Sequence, residues 1–114
     1  MTLDEIAKRL GLALLTDPKD LTQVEPHTGY TSDMLSCVMS GAPREGLWVT
    51  LQAHINIIAV AALLDLSAII ITENALPDPA TIAKANEKGI VLLSTTMPSF
   101  EVVGRLWELG IRAG

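Results

Sequence analysis

From Leu47 onward the apolar residues follow two alternating rhythms: short continuous runs, then longer stretches in which they recur at helical spacing. The runs at 47–50, 68–72 and 90–94 predict strands covered on both faces. The stretches at 53–66, 79–88 and 98–109 predict helices. Asp78 caps the second of these and Gly89 stops it, while Pro98 opens the third and Gly110 follows its end. Strand–helix units with short connections imply parallel strands and right-handed crossovers.

The first half is less regular. Thr2 followed by Glu5 makes a capping box, Leu3, Ile6 and Leu10 form one stripe, and Gly11 ends a short first helix. Residues 12–16 read as a strand, closed by the turn-prone Asp17-Pro18-Lys19-Asp20. Residues 22–30 suggest an irregular strand broken at Pro26. From Ser32 the spacing of Met34, Leu35, Val38 and Met39 predicts a helix that closes at Gly41, with Cys37 inside its apolar pattern as a small core residue. The expectation is one domain over residues 1–114: a three-layer βαβαβα α/β fold with a mainly parallel sheet.

Composition agrees with that class and removes others. Apolar residues make up 49% of the chain and aromatics only 4%, so the core is aliphatic. The net charge is −5, and apart from the pair Lys8-Arg9 the Lys and Arg residues occur singly, which speaks against a nucleic-acid footprint. Cys37 is the only cysteine, so neither an internal disulfide nor a thiolate metal site is expected. The start, MTLDEIAKRL, is charged and amphipathic, unlike a signal peptide. The longest apolar run, 55–71, is interrupted by Asn56 and Asp65 and is short for a bilayer. A soluble cytoplasmic protein without membrane contact is expected.

In open parallel sheets, ligands bind beyond the carboxyl ends of the strands. The segments there are Gly29-Tyr30-Thr31-Ser32-Asp33, the stretch from Thr50 through Gln52 and His54 to Asn56, Thr72-Glu73-Asn74, and Ser94-Thr95-Thr96-Met97-Pro98-Ser99. The candidate ligand residues in them are Tyr30, Thr31, Ser32, Asp33, Thr50, Gln52, His54, Asn56, Thr72, Glu73, Ser94, Thr95 and Thr96. Four polar loops on one edge suit a small polar or anionic ligand, held by backbone N–H groups and helix dipoles. The competing reading is that these residues only cap helices. His54 and Asn56 are expected to begin their helix, where a neutral imidazole suits hydrogen bonding more than proton transfer.

Catalytic signatures are missing from the sequence. There is no G-x-S-x-G elbow, no Walker A sequence, no G-x-G-x-x-G and no H-E-x-x-H, so no catalysis, metal or cofactor is expected. A small enzyme using His54 with Ser32 or Asp33 is the minor alternative. Residues 3–12 mimic half of a helix-turn-helix, but the next residues, 13–18, are strand-like and not basic. The helix at 53–66 is apolar nearly all round, through Ile55, Ile57, Ile58, Val60, Leu63 and Leu64. Either the amino-terminal segment or a second subunit should cover it, and a homodimer is expected.

The segments Gly29-Tyr30-Thr31-Ser32-Asp33-Met34-Leu35-Ser36, Leu47 through Ala61, and Gly89 through Thr95 together resemble the DRTGG-domain family, nearest to its stand-alone members. That family is similar to the amino-terminal domain of HPr kinase/phosphorylase and also occurs fused to CBS-pair domains and phosphate acetyltransferases. The resemblance implies a regulatory or ligand-sensing α/β module without catalysis of its own. The leading expectation is that such a module passes its signal to a protein partner. Association of small members with redox and hydrogenase gene clusters implies the alternative of an accessory or assembly role. The pentapeptide that names the family and the kinase phosphate-binding loop are both absent, so neither associated role carries over.

Overall fold

The computed structural model describes residues Met1–Gly114. Five strands, β1 (Ala13–Leu14), β2 (Gly29–Thr31), β3 (Leu47–Thr50), β4 (Ala68–Ile71) and β5 (Leu92–Ser94), form one sheet in the order β1-β5-β4-β3-β2. Strands β2 to β5 are parallel and consecutive, while β1 joins β5 antiparallel through Ala13 opposite Ser94. The helices are α1 (Leu3–Leu10), α2 (Leu35–Gly41), α3 (Asn56–Leu63), α4 (Pro79–Lys88) and α5 (Ser99–Glu108).

The period-2 alternation of strands divides the core into two layers. Leu47, Val49, Ala68, Ile70, Val91 and Leu93 face α1 and α5. Trp48, Ile69, Ile71 and Leu92 face α2, α3 and α4. All four residues of β3 and all four of β4 are buried, as uninterrupted apolar runs require. The fold is therefore a three-layer α/β domain with a mainly parallel sheet. No helix is long and apolar enough to cross a membrane.

Local signals account for the helix ends. Thr2 and Glu5 form the reciprocal box at the start of α1, and Gly11 ends it in the left-handed region at φ 66°. Asp78 accepts from the Thr81 backbone N–H to cap α4, and Gly89 closes it at φ 70°.

Several expectations need correction. The strand at 12–16 shrinks to two paired residues, because β1 sits at the sheet margin and Asp17-Pro18 turns the chain away. Instead of an irregular strand, 22–30 holds a 3₁₀ turn at Leu21–Gln23 and then β2. Helix α3 is shorter than 53–66: it starts at Asn56, leaving His54 in the preceding loop, and Asp65 takes φ 53° just beyond its end. The last strand starts at Leu92, two residues later than its apolar run. Cys37 is exposed, because the short α2 buries only Val38.

The apolar circumference of α3 also has an intramolecular cause. Neighbours α2 and α4 flank it on the same sheet face and share its core layer, whereas α1 lies on the opposite face. Only a narrow outer strip including Ala59 and Leu63 remains exposed.

Candidate functional site

Because β2 to β5 are parallel, their carboxyl ends lie along one edge, and the four polar loops gather there. Between β4 and β5 the following helices diverge, α4 to one face and α5 to the other. Such a divergence opens the crevice where ligands bind in this architecture. The edge has two linked halves.

The first joins the loops after β2 and β3. One oxygen of Asp33 accepts from the hydroxyl of Thr50 at 2.7 Å and from the backbone N–H of Leu51 at 2.9 Å. Thr50 is fully buried, and its Oγ1 accepts in turn from the N–H of Gln52 at 3.0 Å. Ser32 is held twice, its Oγ accepting from Met34 N–H at 3.1 Å and its carbonyl from the Trp48 indole at 2.9 Å. Exposed His54 uses Nδ1 to accept from the N–H of Asn56, the first residue of α3.

The second half lines the crevice itself. Glu73 and Asn74 are consecutive non-glycine residues in the left-handed region, at φ 60° and 57°. Each such residue costs about 1–2 kcal/mol of backbone strain, Asn less than most. Their N–H groups donate across the crevice to the carbonyls of Met97 (2.9 Å) and Thr95 (3.1 Å). The Glu73 carboxylate then accepts from Ser99 N–H at 2.7 Å, at the amino end of α5. Fully buried Thr72 shares a short hydroxyl–hydroxyl bond with Ser99, and Thr95 Oγ1 accepts from Met97 N–H at 3.1 Å.

The charge of the edge is one-signed. Asp33, Glu73 and Asp78 lie along it, and no Lys or Arg occurs in its four loops. Thr81, through its backbone N–H and its hydroxyl, holds the Asp78 carboxyl below the ordinary carboxylate range, and the His54 imidazole adds a smaller share. The amino ends of α4 and α5 thus already carry their own carboxylates, in the position a bound anion would take. No group of three or more His, Cys, Asp or Glu is placed to hold a metal ion.

Of the residues singled out in the sequence, Ser32, Asp33, Thr50, Gln52, His54 and Asn56 fall in the first half, and Thr72, Glu73, Thr95 and exposed Thr96 in the second. Ser94 is a buried strand residue paired with Ala13. Tyr30 and Thr31 belong to β2, where Tyr30 lies against Gly41 and the Thr31 hydroxyl donates to the Val49 carbonyl. Asn74 and Ser99 lie in loops that the sequence places at this edge but were not singled out as ligand residues. Tolerance of the left-handed region was the only signal of Asn74, and no local pattern links Ser99 to Glu73 across 26 positions.

Asp33→Ala is expected to destabilise the protein by about 2 kcal/mol, because the buried Thr50 hydroxyl loses its carboxylate acceptor. Asp33→Asn, which retains an acceptor oxygen, should recover at least half of that in urea denaturation.

This fold and edge define a three-layer α/β domain with a polar, acidic rim at the strand ends. No protein-family model matches the chain, and no curated protein matches it either. Among solved structures, it is similar to the CBS and DRTGG domains of the regulatory region of Clostridium perfringens pyrophosphatase, complexed with the activator diadenosine tetraphosphate. The TM-score is 0.73 at 19% identity over 90% of this chain and 44% of that one. The likeness establishes a shared fold, and the chain spans less than half the length of that relative.

Proposed function

We propose that this chain is a non-catalytic regulatory module that binds a small polar ligand at the β4–β5 crevice and acts through a protein partner. The observation that carries this reading is the Glu73-Asn74 pair, two strained residues held at the carboxyl end of the central strand. Strain of this kind collects at binding sites. The fold shared with a region that regulates a pyrophosphatase supports a regulatory role. The catalytic alternative loses support because His54, Ser32 and Asp33 each hydrogen-bond to other groups and not to one another.

Of polar and anionic ligands, the edge favours the polar kind, neutral or cationic. Glu73 fills the anion position at α5, and no Lys or Arg occurs in the four loops. Thermal-shift screening of amines, amides and polyols against nucleotides, acyl phosphates and phosphosugars checks this. A ligand at one hundred times its Kd should add about 2.7 kcal/mol. That gain should come from the first group and vanish in Glu73→Ala and Gln52→Ala. Stabilisation by the phosphate-bearing group alone, or by nothing, would refute the reading.

A second reading has its own observation. Met34 (62% exposed), Leu51 (45%), Ile55 (38%), Leu76 (65%) and Phe100 (92%) place a large apolar side chain on or beside every loop of the edge. Such spacing suits a protein docked on the edge, as an accessory or assembly role in a redox or metabolic complex would need. Retention of a partner by Glu73→Ala together with its loss from Leu76→Asp would favour this reading.

A further inference from the structure

Away from the acidic edge, a cavity of about 260 Å³ opens between α5 and the outer strand β2. Helix α5 packs over β3 and α1, and its Val103, Leu106 and Trp107 line the cavity together with Gly29, Tyr30 and Thr31 of β2. The chain then returns to close the far side: Gly29 N–H donates to the Arg112 carbonyl at 2.9 Å, and Arg112 N–H to the His27 carbonyl at 3.1 Å. Gly29 keeps the floor low, since a Cβ there would lie 3.3 Å from the side chain of Ile111. The walls are mostly apolar: Val103 and half-exposed Trp107 reach the opening, and the nearly fully buried Val49 and Leu106 lie behind them.

One charged group stands at this cavity. The Arg112 guanidinium lies over the Trp107 ring, 4.7 Å from its centre, and donates to the Trp107 carbonyl. None of the five ion pairs in the molecule includes it. Stacking on the indole restrains the fork, so less side-chain freedom is left to lose when an anion binds. A cation fixed beside an apolar cavity, without a carboxylate of its own, lacks the complementary half.

We propose that this cavity binds a small carboxylic acid with an apolar body, its carboxylate on Arg112 and its tail over Val49, Val103 and Leu106. A planar carboxylate matches the guanidinium fork. The volume equals that of about nine water molecules in the liquid, room for a short aliphatic or single-ring acid. The site is separate from the β4–β5 crevice and independent of what binds there.

Trp107 is half exposed while Trp48, the only other tryptophan, is fully buried, so a change in exposed-tryptophan emission reports on this cavity. The experiment titrates octanoate and octanol into the full chain and into Arg112→Gln and Val103→Glu. Octanoate should give a saturable change, weakened about tenfold to a hundredfold by Arg112→Gln, as expected for loss of a charge-assisted bond. Octanol should bind more weakly and equally in both proteins, and Val103→Glu should abolish both. The main-chain pairing of Arg112 does not depend on its side chain, so Arg112→Gln should stay folded, with only a small drop in unfolding temperature from the lost stacking. No saturable response to octanoate, or octanoate binding indifferent to Arg112→Gln, overturns the proposal.

Discussion

Ile57→Asp should leave no folded protein at room temperature, whereas Leu63→Asp, six residues along the same helix, should be nearly silent. Ile57 is fully buried in the layer that Trp48, Ile69 and Ile71 form under α3, while Leu63 is 67% exposed. Removing a buried isoleucine costs about 2–5 kcal/mol, and burying a carboxylate adds several more. A domain of this size has about 5–15 kcal/mol in total, so the sum reaches the whole stability. At Leu63 a charge meets water, and the change should stay within about 0.5 kcal/mol. Circular dichroism and urea denaturation of the two variants decide the matter. A folded Ile57→Asp protein would mean that α3 does not cover the sheet as described. The pair also separates lost partner binding from unfolding: a partner seated on the outer strip of α3 would be lost from Leu63→Asp while the fold survives.

The contrast between these two positions shows what a periodic pattern reveals and what it hides. An amphipathic helix declares its buried face in its sequence, as α1 does through Leu3, Ile6 and Leu10. Helix α3 is apolar on almost every side because two helices flank it, so its residues do not reveal which of them point outward. The same feature suggested a second subunit, and α2 and α4 now account for most of it. Strands β3 and β4 and helix α4 were legible to within a residue, because fully buried β-branched runs and strong caps are local properties. The 3₁₀ turn was not, and β1 was legible as a strand within 12–16 but not in its length or its pairing. Antiparallel pairing with a strand some eighty positions away leaves no local trace.

The site divides along the same line. Sequence placed four polar loops at strand ends, and parallel pairing does bring those ends to one edge. It did not show that most of their hydrogen-bonding capacity is turned inward. Asp33 is spent on Thr50 and Leu51, and Glu73 on Ser99, across 17 or more positions in each case. Nor did it show that the carboxylates at the helix starts, with no Lys or Arg among the loops, give the edge a negative character. Both facts depend on which loops are neighbours, and neighbourhood is set by strand order.

Trp48 connects this edge to the core, and Trp48→Ala is expected to damage both. The side chain is fully buried among Val38, Ile57, Ile58 and Ile69. Truncation of such a residue costs about 3–5 kcal/mol, because the close-packed surroundings collapse only partly into the space. Its indole N–H also holds the Ser32 carbonyl at 2.9 Å, fixing the loop from which Asp33 reaches Thr50 and Leu51. Loss of the ring should therefore raise amide hydrogen exchange at Leu51 and Gln52 beyond what the global destabilisation accounts for. Trp48→Phe separates the two contributions. It keeps most of the apolar bulk but leaves the part-buried carbonyl without its donor, a cost of about 1–3 kcal/mol. If Phe proved as damaging as Ala, the hydrogen bond and not the volume would hold this layer to the edge. If Ala cost less than about 2 kcal/mol, the packing around Trp48 would be looser than its burial implies. The expected order, Ala well below Phe and Phe below the unaltered protein, with exchange at Leu51 rising in both variants, makes one side chain responsible for the core layer and for the geometry of the loop above it.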